Sequence, residues 1–321
     1  MPAKTKFELK PGPATREAFG RALVELGREN KDIVVCDADL SKSTMTHYFQ
    51  KEFPDRFFSF GIAEANMVAQ AAGMAYAGKI PFAASFSAFI INKGFEQLRV
   101  CIAYPNLNVK IVGTHSGISI GEDGPSQMSV EETSLACSLP GFVVISPADE
   151  ASTKALVRAA AAHVGPVFIR TGRPKAPAIY NGDQKFEIGK AVEVVEGTDV
   201  TIVANGLLVA EAIRAYETLE SEGISARVLD LHTVKPLDRD AIRRAAAETG
   251  AIVTAEEHLV DGGMGVRVAQ VVAETQPCPM EFVGLQGYAE SGKPEELLDK
   301  YGLVARDIVA AVRKVLARKR R

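Results

Sequence analysis

One carboxylate stands where a strand pattern gives way to a helix pattern. Glu64 lies inside the segment 58–67, in which an apolar strand stops and a helix begins. Open α/β sheets place their chemistry at this kind of edge, and a carboxylate there can share a proton with a ligand. Phe86 and Phe89 follow, three residues apart. Their rings can offer flat faces to an aromatic ligand.

The segment from His115 to Gln127, called the 115–127 loop below, is the most specific signal in the sequence. It is rich in glycine and polar residues, yet it follows an apolar strand. Its side chains should therefore reach the cleft at the carboxyl end of that strand. The loop is a candidate for binding a polar substrate.

Short β-branched runs alternate with helical patterns along the chain. Five apolar runs in the first half predict buried strands of a parallel sheet. They are 33–35, 81–84, 109–112, 142–145 and 166–169. Helical spacing in residues 18–26, behind a possible N-cap at Thr15, and in residues 155–160 predicts crossover helices between strands.

Residues 172–182 carry prolines and glycines without an apolar period, which predicts a linker. A second α/β unit follows. Its predicted strands are 200–203, 226–231, 251–255 and 280–283, and its predicted helices are 207–219, 239–247, 265–273 and 307–316. The predicted fold class is α/β, with two consecutive open, mostly parallel-sheet domains at residues 1–180 and 188–321.

Three motifs together resemble the transketolases, a family of thiamine diphosphate enzymes. They are Gly-Ile-Ala-Glu at 61–64 before a small-residue helix, Asp-Ala-Asp-Leu-Ser-Lys-Ser at 37–43, and Gly-Glu-Asp-Gly-Pro at 121–125. The resemblance implies a thiamine diphosphate pyrimidine-binding fold followed by a transketolase C-terminal-domain-like fold. It extends from about Ala14 to Leu316.

For the cofactor, the resemblance implies a role for four residues. Glu64 would bond to the pyrimidine N1′ and drive the imino tautomer that removes the C2 proton. Phe86 and Phe89 would line the pyrimidine, and Asp39 would lie on the cofactor side. Asn92 stands where transketolases carry a further aromatic residue.

For the substrate phosphate, the resemblance implies Arg16 and Ser43. His115, the second catalytic candidate, would help to hold the phosphate end. A last phosphate arginine should follow the strand that ends near residue 170, and it is either Arg170 or Arg173. The planar fork of arginine suits phosphate well.

Two residues of the 115–127 loop would bind the sugars themselves. The resemblance implies that Asp123 bonds the C2 hydroxyl of the acceptor aldose. Gln127 replaces a histidine that the family places near the C1 hydroxyl and carbonyl of the donor ketose. An amide can donate a hydrogen bond but cannot carry a proton, so donor specificity should differ.

The family also binds the cofactor diphosphate through a divalent ion, a Gly-Asp-Gly motif and a later asparagine, and this sequence lacks that pattern. The resemblance therefore implies the C-terminal subunit of a split transketolase. An N-terminal subunit would carry the motif and most contacts to Mg²⁺ or Ca²⁺. Two copies of each chain would form an α2β2 assembly that transfers a two-carbon ketol unit from a ketose phosphate to an aldose phosphate.

Two features of the second unit have structural interpretations. The segment 262–265 fails the dinucleotide fingerprint because Val268 occupies its last glycine position, so it predicts a helix entry. Glu256-Glu257-His258 is typical of the C-terminal domain in this superfamily. We expect His258 to have a structural or interface role.

Composition excludes several other classes of function. The 37 basic and 40 acidic residues give a net charge of -3, so no global field attracts nucleic acid or an anionic membrane. No signal-peptide core or membrane-length apolar stretch occurs, so a cytoplasmic location is expected. The 4 cysteines have no metal-ligand spacing.

Three alternatives stay open. The β subunit of a 2-oxo acid dehydrogenase has a similar length and domain order, but it does not need the Gly-Glu-Asp-Gly-Pro loop. A deoxyxylulose-phosphate synthase-like enzyme would come as one long chain. A non-catalytic homologue need not retain Glu64, Phe86, Phe89, His115 and Asp123 together.

Overall fold

The computed structural model describes residues 7–319, so the outermost residues of both predicted domain ranges lie outside the described part. The elements of the first half are β1 (Lys10–Ala14), α1 (Thr15–Glu29), β2 (Ile33–Asp37), α2 (Ser41–Thr44), α3 (His47–Glu52), β3 (Phe57–Ser59), α4 (Glu64–Tyr76), β4 (Ile80–Phe86), α5 (Ser87–Gln97), β5 (Lys110–Thr114), α6 (Glu132–Ser138), β6 (Val143–Ile145), α7 (Glu150–Ala162), β7 (Val167–Arg170) and β8 (Lys175–Ala178). Those of the second half are β9 (Val192–Val195), β10 (Val200–Ala204), α8 (Leu208–Ser221), β11 (Ala226–Asp230), β12 (Thr233–Lys235), α9 (Arg239–Thr249), β13 (Ile252–Leu259), α10 (Met264–Thr275), β14 (Met280–Leu285), α11 (Pro294–Lys300) and α12 (Ala305–Lys319).

The larger sheet has seven strands in the order β12-β6-β7-β5-β4-β2-β3. Its six strands from the first half are parallel to one another, and β12 joins antiparallel beside β6. Strands β2 and β5 are buried along their whole length, as expected of parallel strands covered on both faces. This burial explains why apolar residues form the middle of both strands, although β2 ends in Asp37 and β5 begins with Lys110.

The smaller sheet has five strands in the order β14-β13-β10-β11-β9. Only β9 runs antiparallel to its neighbour among these described strands, and the other pairs are parallel. The two open, mostly parallel sheets confirm the predicted fold class.

Strand β12 crosses the predicted division of the chain. It follows β11 in sequence, yet Thr233 and Lys235 pair with Ile145 and Val144 of the larger sheet. The Lys235 ammonium also donates to the carbonyl of Leu139 at 2.6 Å. A strand of the second half therefore completes the sheet of the first.

The predicted linker also contains structure. Strand β8 lies inside it and pairs antiparallel with β1 in a separate ribbon of two strands. Both strands carry prolines, which cannot donate to a further neighbour. The prediction at Thr15 was wrong in detail: Thr15 is the first helical residue, and its hydroxyl accepts from the Gly172 amide at 2.8 Å instead of capping the helix.

The carboxyl edges of the two sheets face each other. Ser146, just after β6, accepts from the Gly206 amide that follows β10, at 3.3 Å. On the other side, Arg170 at the end of β7 donates to the carbonyl of Glu257 on β13 at 2.8 Å. The strand ends that carry the candidate residues therefore meet at one joint. Among residues 7–319, no helix is both long and apolar enough to cross a membrane.

Candidate functional site

Glu64 is the first residue of α4 and lies almost fully buried, with 2% of its surface exposed. The turn before it uses Gly61 in the left-handed region, at φ 66°, which glycine adopts without strain. One carboxylate oxygen, Oε2, lies 3.4 Å from the Lys93 ammonium. The other, Oε1, is buried and has no hydrogen-bond partner among residues 7–319. A buried acceptor without a donor is costly, so this atom is suited to a ligand N–H group.

The two phenylalanines form a stack beside this carboxylate. The ring centroids of Phe86 and Phe89 are 5.5 Å apart with planes 14° from parallel. His115 stacks on Phe86 at 3.8 Å, so the Phe86 ring is largely enclosed. Phe89 is only partly buried, and the Lys93 ammonium lies 4.4 Å from its ring centroid. Lys93 therefore occupies the space between the Phe89 face and Glu64.

His115 follows β5 in a left-handed conformation, at φ 58°. Its Nδ1 lies 2.9 Å from the Thr114 hydroxyl. Burial, and then the positive charges of Arg16 and Arg173, lower the pKa of His115 to about 3. The imidazole is therefore neutral at ordinary pH and can act as a hydrogen-bonding group beside these two cations.

Arg16 lies in the first turn of α1 and points to the segment after β2. Its Nη1 donates to the carbonyl of Ser43 at 2.6 Å, whereas its buried Nε has no partner within the described chain. Burial, with a smaller contribution from Arg173, lowers the pKa of Arg16. Two arginines and a neutral histidine thus form a cluster with unused donor capacity, which suits an oxyanion.

The structure separates the two candidate arginines at the end of β7. Arg170 is buried, and its Nε donates to Glu132 at 2.6 Å. Arg173 is partly exposed and donates to the carbonyl of Ile120 and to Glu122 in the 115–127 loop. Arg173 is therefore open to a ligand on the His115 side, whereas Arg170 belongs to a buried ion network.

Within the 115–127 loop, the structure gives Asp123 and Gln127 different surroundings. Asp123 ends a short 3-10 turn, Ile118–Asp123, and is exposed. Gln127 lies beyond Gly124 and is partly buried, and its amide nitrogen in the backbone donates to the Gly124 carbonyl at 3.2 Å. The two side chains therefore differ in how far they are exposed.

Asp37 organises the segment that carries Asp39 and Ser43. Its buried carboxylate accepts from the hydroxyls of Thr44 and Thr46 at 2.7 and 2.9 Å. Asp39 itself is exposed at φ 65°. Asp37, the first residue of the 37–43 motif, therefore holds this turn together. Asn92, at the position of the family's aromatic residue, donates to Glu131 at 3.2 Å.

Some residues of the site were not predicted. Lys93 contacts Glu64, and Glu132 and Glu257 contact Arg170. Lys93 and Glu132 belong to no motif, and Glu257 was noted only as part of the segment 256–258. The segment 256–258 was singled out for His258, which is buried, with its Nδ1 2.8 Å from the Leu259 carbonyl. Helix α10 begins at Met264, which confirms the predicted helix entry.

The fold and this cleft define a two-domain α/β protein of the transketolase type. Two family models match the chain: the transketolase pyrimidine-binding domain over residues 11–178 and the transketolase C-terminal domain over residues 189–308. The chain belongs to the transketolase family.

Curated relatives of two lengths match the chain. A protein described as a transketolase C-terminal section in Methanocaldococcus jannaschii is 43% identical over 301 residues, which cover 92% of this chain and 94% of that protein. A 6-deoxy-6-sulfo-D-fructose transketolase subunit of Clostridium sp. (strain MSTE9) is 42% identical, with 95% of each chain covered. Human transketolase is 39% identical over 99% of this chain but only 51% of its own length.

Solved structures agree with this assignment. A split-gene transketolase, described as an inactive β4 tetramer, superposes with a TM-score of 0.91 at 51% identity and covers 96% of this chain and 100% of that one. Transketolase from Leishmania mexicana has the same fold, with a TM-score of 0.82 at 24% identity over 48% of its chain.

Proposed function

We propose that this chain is the C-terminal subunit of a thiamine diphosphate-dependent transketolase. It transfers a two-carbon ketol unit from a ketose phosphate to an aldose phosphate when an N-terminal, diphosphate-binding subunit is bound. The observation that carries the proposal is the buried Oε1 of Glu64, which has no partner in the described part of the chain, beside the partly open face of Phe89. In this proposal residues 1–180 bind the pyrimidine and residues 188–321 form the C-terminal domain.

The residues present fit the aminopyrimidine of the cofactor. Glu64 Oε1 is an acceptor to which no group of residues 7–319 donates, and Phe89 offers a flat apolar face. The Lys93 ammonium contacts both groups, and its half-exposed side chain would move aside when the pyrimidine binds. When bound, thiamine diphosphate would supply the nucleophilic carbon that takes up the ketol unit.

Glu64 would form a hydrogen bond with N1′ of the pyrimidine and so favour the imino form of the cofactor. Phe86 and Phe89 would orient the ring, and Asp39 would approach the cofactor from the end of β2. His115 remains neutral because burial and two arginines depress its pKa to about 3. It would therefore position a substrate oxygen by hydrogen bonding and would not act as a cation.

The cluster of Arg16, Ser43 and Arg173 would receive the charged end of the substrate. We favour Arg173 over Arg170 because the Arg170 guanidinium is enclosed by Glu132 and Glu257. The cluster suits a sugar phosphate, and a sulfonated sugar would present a similar tetrahedral oxyanion. Asp123 and Gln127 would then bind the acceptor and the donor sugar, respectively.

The partner supplies the remaining half of the enzyme. Human transketolase is about twice as long as the segment it shares with this chain, which covers 51% of its length. We therefore place the Gly-Asp-Gly motif and most ligands of Mg²⁺ or Ca²⁺ on an N-terminal subunit, in an α2β2 assembly. The 2-oxo acid dehydrogenase and non-catalytic alternatives receive no comparable support from the relatives.

The substitution Glu64→Gln tests the cofactor role. It keeps the shape of the side chain but removes the carboxylate. In the assembled complex, deuterium exchange at C2 of thiamine diphosphate should slow by about 10²–10⁴-fold, the range for a positioned acid-base group. Glu131→Gln is the matched control because the Glu131 carboxylate accepts from Asn92 at 3.2 Å and from the Val130 amide at 2.9 Å. Exchange at the wild-type rate in Glu64→Gln would show that the role assigned to Glu64 is wrong.

A further inference from the structure

A buried carboxylate of the second sheet holds the backbone of the 115–127 loop. Glu257 lies on β13 with 2% of its surface exposed, and its Oε1 accepts from the Ser119 amide at 2.6 Å. The backbone of the loop lies close against this carboxylate: a Cβ at Gly117 would lie 2.1 Å from the Glu257 carboxyl carbon. Gly117 also has φ 83°, so glycine is required there on both grounds.

One arginine contacts the Glu257 backbone and lies at ion-pair distance from its carboxylate, while the carboxylate Oε2 has no hydrogen-bond partner among residues 7–319. Arg170 Nη2 donates to the Glu257 carbonyl at 2.8 Å and lies 3.9 Å from its Oε2. The same guanidinium donates through Nε to Glu132 Oε1 at 2.6 Å. All three side chains are buried, so each bond acts in a low-dielectric environment and holds its geometry strongly.

The network reaches the far end of the loop as well. Glu132 Oε2 accepts from the Ser129 hydroxyl at 3.1 Å, and the Ser129 carbonyl accepts from the Gly117 amide at 2.7 Å. The backbone amide of Leu259 in β13 donates to the Val130 carbonyl at 2.9 Å. The start of the loop is therefore attached to Glu257, and residues 129 and 130, which follow the loop, are attached to Glu132 and to the backbone of β13.

We infer that Glu257 is a positioning residue for substrate binding: it fixes the 115–127 loop so that His115, Asp123 and Gln127 keep a constant spacing. The inference rests on the proposed function, because that function gives the loop its sugar-binding role. It gives the second domain a role in substrate binding, because Glu257 lies on its strand β13 and bonds to the loop of the first domain. In this arrangement Arg170 bonds to the backbone of Glu257, and Glu132 holds the Arg170 guanidinium in place.

The neighbouring residue provides a matched control. Glu256 is equally buried on the same strand, but its carboxylate accepts from the amides of Met264 and Gly265, both at 2.7 Å, at the start of α10. It has no hydrogen bond to the 115–127 loop among those of residues 7–319. Glu256→Gln therefore removes a buried charge of the same kind without touching the loop.

Amide hydrogen exchange tests the attachment on the purified chain. In Glu257→Gln, peptides that cover residues 117–121 should exchange about tenfold faster or more, the loss expected for a charge-assisted hydrogen bond. Gly117→Ala attacks the same contact from the loop side and should give the same result. Glu256→Gln should leave these peptides at the wild-type rate. Wild-type exchange in Glu257→Gln, or an equal increase in Glu256→Gln, would overturn the inference.

Kinetics of the assembled complex provide the second readout. Glu257→Gln should raise KM for the sugar substrates by about tenfold while C2 exchange of the cofactor stays at the wild-type rate. A faster-exchanging loop with unchanged KM values would refute the positioning role. If the wild-type complex transfers no ketol unit, the proposed function fails, whereas hydrogen exchange still decides whether Glu257 holds the loop.

Discussion

At the residue scale, Asp123 and Gln127 differ in their exposure within the 115–127 loop. Asp123 is exposed at the end of the 3-10 turn, and Gln127 is partly buried beyond it. An amide at residue 127 can donate and accept hydrogen bonds but cannot change charge, whereas the imidazole of histidine titrates near neutral pH. In the proposed function, this difference between amide and imidazole affects the donor sugar, which Gln127 would bind.

Substitution of Gln127 should therefore affect mainly the donor sugar, and substitution of Asp123 should affect mainly the acceptor sugar. Gln127→His should change the preference among donor ketoses more than the acceptor KM. Asp123→Ala should lower kcat/KM for acceptors by about 10–150-fold, the loss of a charge-assisted hydrogen bond. Specificity constants for two donors and two acceptors measure both effects, with the exposed Ser126→Ala as control. Equal losses on all four substrates would mean that the loop only shapes the cleft.

The position of a residue in the fold was predictable where the residues next to it in sequence form a recognisable motif. Glu64 and the 115–127 loop follow strands, and their local pattern places them at the carboxyl edge. The ion network around Arg170 was not predictable, because Glu132 lies 38 residues away and Glu257 lies 87 residues away. Only the folded chain brings Arg170 together with these two residues. The sequence could therefore not show that Arg170 is enclosed and Arg173 is not.

At the element scale, the long buried strands and their crossover helices follow from continuous apolar runs. The short elements do not. Strand β12 has three residues, and β1 and β8 contain prolines. Their pairing depends on distant partners, so no local period reveals them.

One of these short connections brings two buried groups together. Tyr180, just after β8, donates its hydroxyl to Asp230 Oδ2 at the end of β11, at 2.6 Å. Burial raises the pKa of Asp230 from 3.8 to about 7, and Asp149 adds to this shift. The folded state therefore holds the Asp230 proton more tightly than the unfolded state does.

This shift predicts a pH-dependent stability. The contribution of Asp230 is fully present below pH 3.8 and is lost as the pH rises to about 7. Relative to wild type, Asp230→Asn should therefore gain unfolding free energy as the pH rises through this range. Denaturant titrations at several pH values measure the difference. The exposed Asp240→Asn is the control for the loss of a carboxylate at the surface. A profile for Asp230→Asn that runs parallel to wild type would contradict the predicted shift.

At the scale of the whole molecule, the two sheets meet at their carboxyl edges. The cleft of the first sheet contains the candidate cofactor and substrate residues, and the second sheet holds the loop beside it through Glu257. The chain matches the pyrimidine-binding and C-terminal domains of its family. In the proposed enzyme, the diphosphate and its metal ion therefore need a second chain.

Reconstitution tests this central claim most directly. The purified chain is assayed for ketol transfer from a ketose phosphate to an aldose phosphate, with thiamine diphosphate and Mg²⁺, in the presence and absence of an N-terminal diphosphate-binding subunit. We expect turnover from the mixture and none from either chain alone. Sustained turnover by the isolated chain, or none by a stable complex of the two chains, would contradict the proposal.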